Sequence, residues 1–277
     1  MNCKNCDTKI VGISKFCPNC GAKLDFPEPP EQTVTQTAEP VQEQKIRTPS
    51  KFTHEYLVTL AFDEIVKLER ETHDPKVQER LALVYYYGTS GAPEDISKAY
   101  EWFLKAAEQG DAEVQCNAGT FLLDGTEYKF RHSEISLQDV RAKGVEFYQK
   151  AANQGYPEAQ FELGCLYRIG KVIPEDYQKA CEWYQKSANQ GYVRAQFSLG
   201  EMYLLGNGVS KDDTKAFEWY LKAANGGNPD AIYQVARMYQ NGTGVSQDYK
   251  KAYEWYQKSK DKRAKEAINY MKKYNLI

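Results

Sequence analysis

The chain has 277 residues, a formal net charge of −2 and 42% hydrophobic residues, which is enough apolar material for a sizeable core and one small additional module. The near-neutral charge argues against a large basic surface for nucleic acid or an anionic membrane. No run approaches the ~20 apolar residues of a membrane span, and the first residues lack the apolar core of a secretion signal. We therefore expect a cytoplasmic protein without a membrane partner.

Four of the seven cysteines lie in two C-x-x-C pairs near the N-terminus. Cys3 and Cys6 form the first pair and Cys17 and Cys20 the second, with ten residues between the pairs. Four thiolates bind Zn²⁺ tetrahedrally and leave no open coordination position, so the predicted role is structural. In a reducing compartment this spacing favours a metal over disulfides. We predict one structural Zn²⁺ ion, with a redox dithiol or an iron site as the alternatives.

Residues 16–24, with the sequence FCPNCGAKL, resemble the second knuckle of short zinc-ribbon modules, and we assign residues 1–26 to such a module. A segment this short has too little apolar surface to fold alone, so metal binding and folding should be one event. Zinc ribbons can also bind nucleic acid, and this module contains four lysines. The charge of a four-thiolate zinc centre and two aspartates offset the lysines, which makes nucleic-acid binding the weaker alternative.

Residues 27–50 contain five of the eleven prolines and no aromatic residue. This segment cannot bury enough apolar surface to order itself, so we predict a disordered linker. It separates the zinc ribbon from residues 51–277, which we assign to a helical domain. Within residues 52–70 apolar side chains recur at helical spacing, as expected for an N-terminal capping helix.

A motif that begins with lysine and ends with two aromatic residues occurs five times. Its first aromatic residue is Trp102, Phe147, Trp183, Trp219 or Trp255. The last four copies are 36 residues apart, whereas the second follows the first by 45, which places nine extra residues in the loop around residues 126–137. Hairpins of this kind cannot cover their own apolar faces, so neighbouring hairpins must stack into one core.

Three further features repeat with the aromatic motif. Glutamate precedes lysine by four residues in every copy, as in Glu182 and Lys186, which favours a solvated helix face with weak ion pairs. Small residues recur midway along the first helix, as at Gly164 and Gly200, and predict close helix packing, although the first copy has Leu83 there. Gly-x-Gly loops join helices instead of following a strand, so they do not favour a nucleotide site.

The elements L-G-x-x-Y, G-x-G-V, D-x-x-K-A and W-Y-x-K-A-A occur in order within residues 199–224. This pattern resembles the Sel1-like repeat (SLR) family, relatives of the tetratricopeptide repeats, over residues 76–262. The resemblance implies an all-α fold, an α/α superhelical solenoid of five helix-hairpin repeats with capping helices, the last over residues 264–274. It also implies an interaction scaffold or adaptor rather than an enzyme.

In tetratricopeptide-type stacks the first helix of each pair lines the concave face, and the resemblance carries those positions onto this chain. A protein or peptide partner would contact them through arginine and aromatic side chains, which are typical of binding hot spots. Three arginines suggest an acidic partner, and the alternative for the aromatic side chains is packing against the next repeat. The predicted groove residues are Arg80, Tyr87, Phe161, Arg168, Arg194, Phe197, Glu201, Tyr233 and Arg237.

A search for catalytic groups finds only weak signals. The three histidines, His54, His73 and His132, are scattered, and we expect them on the surface. Some secreted members of the family bind or hydrolyse β-lactams, and Ser259 with Lys262 matches S-x-x-K, so a β-lactam-interacting hydrolase is a further alternative. Ser259 occupies a repeat position that needs no catalytic role. That position also holds Ala151, Ser187 and Ala223, and the remaining cysteines, Cys116, Cys165 and Cys181, are interpreted as small buried or groove-lining thiols.

Overall fold

The computed structural model describes residues 67, 73–89, 92–123, 130 and 135–277. Within these residues the secondary structure is helical and contains no strand, which confirms the predicted all-α class. All of them lie in one contact unit, Lys45–Ile277. None of the helices in these ranges combines the length and the apolar character needed to cross a membrane.

Several sequence predictions fall outside the described residues. They concern the zinc ligands, the linker and the N-terminal capping helix, of which only the helical residue Lys67 is described. Two of the histidines are also outside, whereas His73 is exposed as expected. The residues concerned are Cys3, Cys6, Cys17, Cys20, His54 and His132.

The described part of the chain forms eleven helices, and each helix contacts the next one along the chain. They are α1 (Pro75–Tyr87), α2 (Ile96–Glu108), α3 (Ala112–Leu123), α4 (Leu137–Asn153), α5 (Pro157–Ile169), α6 (Tyr177–Asn189), α7 (Val193–Leu205), α8 (Asp213–Asn225), α9 (Pro229–Asn241), α10 (Tyr249–Lys258) and α11 (Lys262–Lys273).

Consecutive helices pair into the five predicted hairpins, α1/α2, α3/α4, α5/α6, α7/α8 and α9/α10, and α11 packs on α10. Each second helix also packs against the first helix of the next hairpin. The aromatic motif lies on the second helices as predicted. Trp219 packs against the buried cluster around Tyr184, and Trp255 against the cluster around Tyr220. These tryptophans therefore hold neighbouring hairpins together.

Aspartate side chains begin four of the second helices. The Asp212 carboxylate accepts a hydrogen bond from the Lys215 backbone N–H at 3.0 Å and so satisfies a donor that has no partner within α8. Four first helices end at a glycine in the left-handed conformation, which closes the last turn. The capping residues are Asp95, Asp176, Asp212 and Asp248 for the second helices, and Gly88, Gly170, Gly206 and Gly242 for the first helices.

Small residues in the first helices face tyrosine rings of the paired second helices. A side-chain carbon at Gly164 would lie 2.7 Å from the Tyr184 ring, and one at Gly200 would lie 2.8 Å from the Tyr220 ring. Because these distances are shorter than van der Waals contact, the ring occupies the space that the missing side chain frees. This confirms the predicted close packing and gives a reason for a glycine that costs ~1 kcal/mol relative to alanine in a helix.

The Gly-x-Gly loops pack on the preceding hairpin. A side-chain carbon at Gly208 would overlap with the Tyr177 carbonyl oxygen, and one at Gly244 would overlap with the Asp213 carbonyl oxygen. Both glycines have a φ near the centre of the left-handed region, at 70° and 68°. Close backbone approach therefore accounts for these loop glycines.

The insertion in the second copy is partly helical. Helix α4 has 17 residues, whereas α6 and α8 have 13. The extra turn is N-terminal, because all three helices end six residues after the motif aromatic. The prediction of a loop up to residue 137 is therefore corrected: α4 begins at Leu137, with the Ser136 side chain as its N-cap.

The predicted Glu–Lys pairs mostly do not form. Lys150 does contact Glu146 at 2.6 Å, in the copy whose motif aromatic is Phe147. In the other four copies the lysine ammonium lies over the tryptophan ring three residues earlier, because the indole face attracts a cation. The distances from nitrogen to ring centroid are 4.3 Å for Lys105 and Trp102, 3.8 Å for Lys186 and Trp183, 3.8 Å for Lys222 and Trp219, and 4.3 Å for Lys258 and Trp255.

The C-terminal helix is present, but the residues before it differ from the prediction. Helix α11 confirms the helix expected over residues 264–274. Helix α10 ends at Lys258, three residues after Trp255, so Ser259 lies outside the helix. Its Oγ accepts a hydrogen bond from the Asp261 backbone N–H at 3.2 Å, which helps to turn the chain into α11. Ser259 keeps its repeat position, four residues after the motif aromatic, but it lies beyond the end of its helix, whereas the residues at the same position in three other copies are helical; these are Ala151, Ser187 and Ala223.

Candidate binding face on the first helices

Buried glutamines fix how the first helices correspond to one another. Gln160 in the third hairpin accepts a side-chain hydrogen bond on Oε1 at 2.8 Å, and Gln78 accepts the same bond in the first hairpin at 2.6 Å. Gly164 lies four residues after Gln160, and Ala82 lies four residues after Gln78. Ala82 is therefore the residue that matches Gly164, and the expectation of Leu83 is wrong. Because Ala82 lies between two leucines, the apolar pattern leaves the register ambiguous by one residue.

This register moves two predicted groove positions. Glu79 and Tyr86 match the groove positions of the later copies, in place of Arg80 and Tyr87. Tyr87 is 39% exposed and packs edge-on against Tyr86, with 4.9 Å between ring centroids. The C-cap glycines carry the signal that identifies the register, because each follows the small residue by six positions.

We define the first-helix face as three rows of side chains, located three residues before, one after and four after the small residue of each first helix. Helix α11 continues the inner and middle rows with Glu266 and Tyr270. Its buried residue Ala264 matches Ala159, Ala195 and Ala231, which lie five residues before the small residue of their helices. The inner row is Glu79, Cys116, Phe161, Phe197 and Tyr233; the middle row is Leu83, Thr120, Cys165, Glu201 and Arg237; and the outer row is Tyr86, Leu123, Arg168, Leu204 and Gln240.

Exposure of the inner and middle rows increases toward the C-terminus, whereas in the outer row Arg168 is exposed and Leu204 and Gln240 are half-buried. The first three inner-row residues are 3%, 1% and 4% exposed, whereas Phe197 and Tyr233 are half-buried. In the middle row Leu83 is 9% exposed, but Arg237 and Tyr270 are exposed. A ligand could therefore reach the face mainly along α7, α9 and α11.

Phe161 and Arg194 have structural roles. The Phe161 ring packs on Tyr184 and Tyr192 with centroid distances of 5.5 Å and 5.4 Å, in agreement with the alternative of packing against the next repeat. The Arg194 guanidinium lies 4.4 Å from the Phe161 centroid and donates to Glu162 at 3.0 Å. This arginine is thus already paired with a carboxylate.

Arg168 and Glu201 form a polar group in the centre of the face. The Arg168 Nε donates to the Tyr184 hydroxyl at 3.2 Å, and that hydroxyl donates to Cys165 Sγ at 3.3 Å. Burial raises the pKa of Glu201, and the charge of Arg168 opposes that increase. Two of the three arginines that suggested an acidic partner therefore already interact with acidic side chains of the chain itself.

A cleft of about 540 Å³ lies between α9, α10 and α11. Two predicted groove residues, Tyr233 and Arg237, line it together with groups that the sequence did not single out. The Arg263 guanidinium lies 4.4 Å from the Tyr233 centroid and is hydrogen-bonded to Asp261. The cleft is lined by Tyr233, Arg237, Gln240, Asn241, Tyr256, Arg263, Glu266, Ala267 and Tyr270.

The three described cysteines are free thiols in a largely apolar setting. Cys116 and Cys181 are buried and Cys165 is half-buried in the middle row, as expected for buried or groove-lining thiols. Burial raises the pKa of Cys165 and of Cys181 to about 11, so both are neutral at physiological pH. Among the described residues no group of cysteine, histidine and acidic side chains is arranged to hold a metal ion.

The stacked hairpins are similar in architecture to a crystal structure of a Sel1 repeat protein from Oxalobacter formigenes. The two chains are 26% identical, with a TM-score of 0.57 over 75% of this chain and 86% of that one.

Two curated proteins match shorter parts of the chain. The ERAD-associated E3 ubiquitin-protein ligase component HRD3B of Arabidopsis thaliana is 26% identical over 117 residues, and the chitin synthase regulator SKT5 of Saccharomyces cerevisiae is 31% identical over 91 residues. These matches cover 42% and 33% of this chain but only 17% and 12% of the relatives.

The family model for the Sel1 repeat matches five segments, residues 75–111, 132–156, 157–192, 193–228 and 229–263. Together they include more than half of the chain; four of them each span one hairpin, and residues 132–156 include only α4, the second helix of the second hairpin. With the stacked hairpins, the capped helices and the tryptophan contacts, this match identifies the chain as a member of the Sel1 repeat family.

Proposed function

We propose that this protein is an interaction scaffold whose first-helix face binds a protein or peptide partner, without chemistry of its own. The observation that carries the proposal is the pattern of sequence variation on this face. Most repeats keep the same capping, small-residue and tryptophan positions, whereas the middle row holds a different side chain in every copy and the other two rows repeat one residue type each. Variable side chains on a repeated framework are the means by which solenoids recognise particular ligands.

The names of the two curated relatives are consistent with a non-catalytic role. One is a component of a ubiquitin ligase and the other a regulator of chitin synthase, so both are described by the larger systems to which they belong. The proposed site also contains the residue types that dominate binding hot spots, with Phe197 and Tyr233 half-buried and Arg237 exposed.

Affinity capture with charge-reversed variants tests this proposal. We expect the double variant Glu201→Lys, Arg237→Glu to lose partners that the wild-type chain retains from its own cells. The matched control is Glu218→Lys, Lys250→Glu, which also leaves the net charge unchanged, because both side chains are exposed and lie on second helices. Retention of every partner by the first variant, with an unchanged melting temperature, would reject the face as the binding site.

We further propose that residues 1–26 bind one structural Zn²⁺ through Cys3, Cys6, Cys17 and Cys20. The support is the spacing of the two C-x-x-C pairs, which is suited to a closed tetrahedral site. Elemental analysis of the purified full chain should give one zinc per molecule, and the Cys3→Ser, Cys6→Ser variant should give none. Equal zinc content in both proteins would show that the metal is bound elsewhere.

Of the three arginines that suggested an acidic partner, only one carries a positive charge that no acidic side chain among the described residues offsets. Arg194 is paired with Glu162, and Arg168 lies near Glu201, so neither adds an uncompensated positive charge. Arg237 is exposed and forms no ion pair with a described residue. Any preference for an acidic group should therefore depend on Arg237.

A further inference from the structure

The cleft at the C-terminal end of the first-helix face has opposite charges on its two walls. Arg237 lies on α9 and Glu266 on α11, and both side chains are exposed. Neither forms an ion pair within the described part of the chain, in contrast to Arg194 with Glu162 and Arg263 with Asp261. Arg237 donates a long hydrogen bond, 3.4 Å, to Gln234, and its guanidinium lies 6.0 Å from the centroid of the Tyr233 ring. Both charged groups are thus available to a ligand.

Neutral side chains in the cleft provide further contacts beside these two charged groups. The Tyr256 hydroxyl donates to Gln240 Oε1 at 2.6 Å, which orients this side chain and leaves its amide N–H groups as donors near Arg237. The half-buried Tyr233 ring also lines the cleft, with the Arg263 guanidinium 4.4 Å and the Arg237 guanidinium 6.0 Å from its centroid. The cleft volume of about 540 Å³ is within the ~300–1,000 Å³ typical of ligand pockets.

We propose that this cleft binds a short peptide segment of mixed charge, with an acidic side chain at Arg237 and Gln240 and a basic side chain at Glu266. A guanidinium and an amide donor suit a carboxylate, since charge-assisted hydrogen bonds are stronger than neutral ones. A uniformly acidic segment would place like charges beside Glu266, and a uniformly basic one would do so beside Arg237. The inference rests on the proposed binding function and specifies the chemistry of its partner at this end.

A random heptapeptide library displayed on phage tests the charge preference without knowledge of the natural partner. Peptides would be selected on the full chain and on the variants Arg237→Glu and Glu266→Lys. We expect wild-type selections to be rich in peptides with both an acidic and a basic residue. The acidic residue should disappear with Arg237→Glu, and the basic residue with Glu266→Lys.

A synthetic peptide from the wild-type selection then gives a quantitative result by fluorescence polarisation. Its affinity should fall by at least about tenfold for Arg237→Glu and Glu266→Lys, and less for the milder variant Arg237→Gln. The control Glu254→Lys should bind it as the wild type does, because this glutamate is exposed on a second helix.

Three results would overturn the proposal. The first is that the selected peptides show no preference for mixed charge. The second is that they bind all variants equally, and the third is that no peptide is enriched over an unrelated helical protein. Peptides that lose binding only with Phe197→Ser would reject the cleft and leave the wider face as the binding site. Failure of the wider function is recognised separately, by the affinity capture with Glu201 and Arg237 variants.

Discussion

At the scale of single residues, Glu79 couples stability to pH. This inner-row carboxyl is 3% exposed, and burial raises its pKa to about 7, with only partial compensation by Asn117 and Lys76. In an unfolded chain a glutamate has a pKa of about 4.3. The folded state therefore holds the proton more tightly, and the free energy of unfolding should decrease as the pH rises from about 4.5 to 7.

The change Glu79→Gln should remove this pH dependence, because glutamine has the shape of the protonated side chain and no charge. We expect wild type and variant to be similar near pH 4, and the variant to be more stable by about 2–4 kcal/mol above pH 7. Urea unfolding of both proteins across this pH range measures the difference. A difference that does not change with pH would contradict the role given to Glu79.

Two glycines with a left-handed backbone allow the cost of a positive φ to be measured separately from the cost of steric overlap. A side chain at Gly208 would overlap with the Tyr177 carbonyl, whereas at Gly227 nothing lies within 4 Å. Both substitutions to alanine carry the cost of a positive φ, but only Gly208→Ala also displaces the preceding hairpin. We expect it to lower the free energy of unfolding by about 1–3 kcal/mol more than Gly227→Ala, as measured by urea unfolding. Equal losses would mean that the loop does not pack as described.

At the scale of helices, the repeated N-caps define where the second helices begin. Asp212→Ala removes the acceptor for the Lys215 backbone N–H, and we expect the melting temperature to fall by roughly 2–6 °C. Asp212→Asn is the control, because asparagine also caps a helix and should retain most of the stability. A loss as large for asparagine as for alanine would assign the effect to charge and not to capping.

The helices themselves follow from the repeat period and the capping residues, both of which are visible in the amino-acid sequence. The amino-acid sequence does not show which of two neighbouring side chains a third side chain contacts. Lys186 can contact either Glu182 or the Trp183 ring, and spacing does not decide between them. Likewise, the early end of α10 at Lys258 depends on the turn into α11, where no further repeat follows within the described residues.

The amino-acid sequence predicts those site residues that follow the regular helical spacing of the rows. The helical spacing places Phe197, Glu201, Tyr233 and Arg237 in the rows that define the first-helix face, and their contact with a partner stays a prediction. Phe161 is in the expected row, but its burial depends on Tyr192 and Arg194 from the next hairpin, and helix periodicity contains no information on that contact. Glu266 was missed because α11 was interpreted only as a cap.

At the scale of the helical unit, the first-helix face changes character along the stack. Its N-terminal part is closed by packing, with Cys116 at 1% exposure, and its C-terminal part is open and charged. The constant positions on the second helices maintain the stack, and the variable positions on α7, α9 and α11 are accessible to a ligand. This division of roles is the central claim about function.

Site-specific photo-crosslinking tests that claim most directly. A photoreactive amino acid at Glu201 or Arg237 reports on the first-helix face, and the same amino acid at Glu182 or Glu218 reports on exposed sites of the second helices. After irradiation in cells, a defined partner should be crosslinked from the first two positions and not from the other two. Crosslinks to that partner from Glu182 or Glu218 alone would contradict the assignment of binding to the first helices.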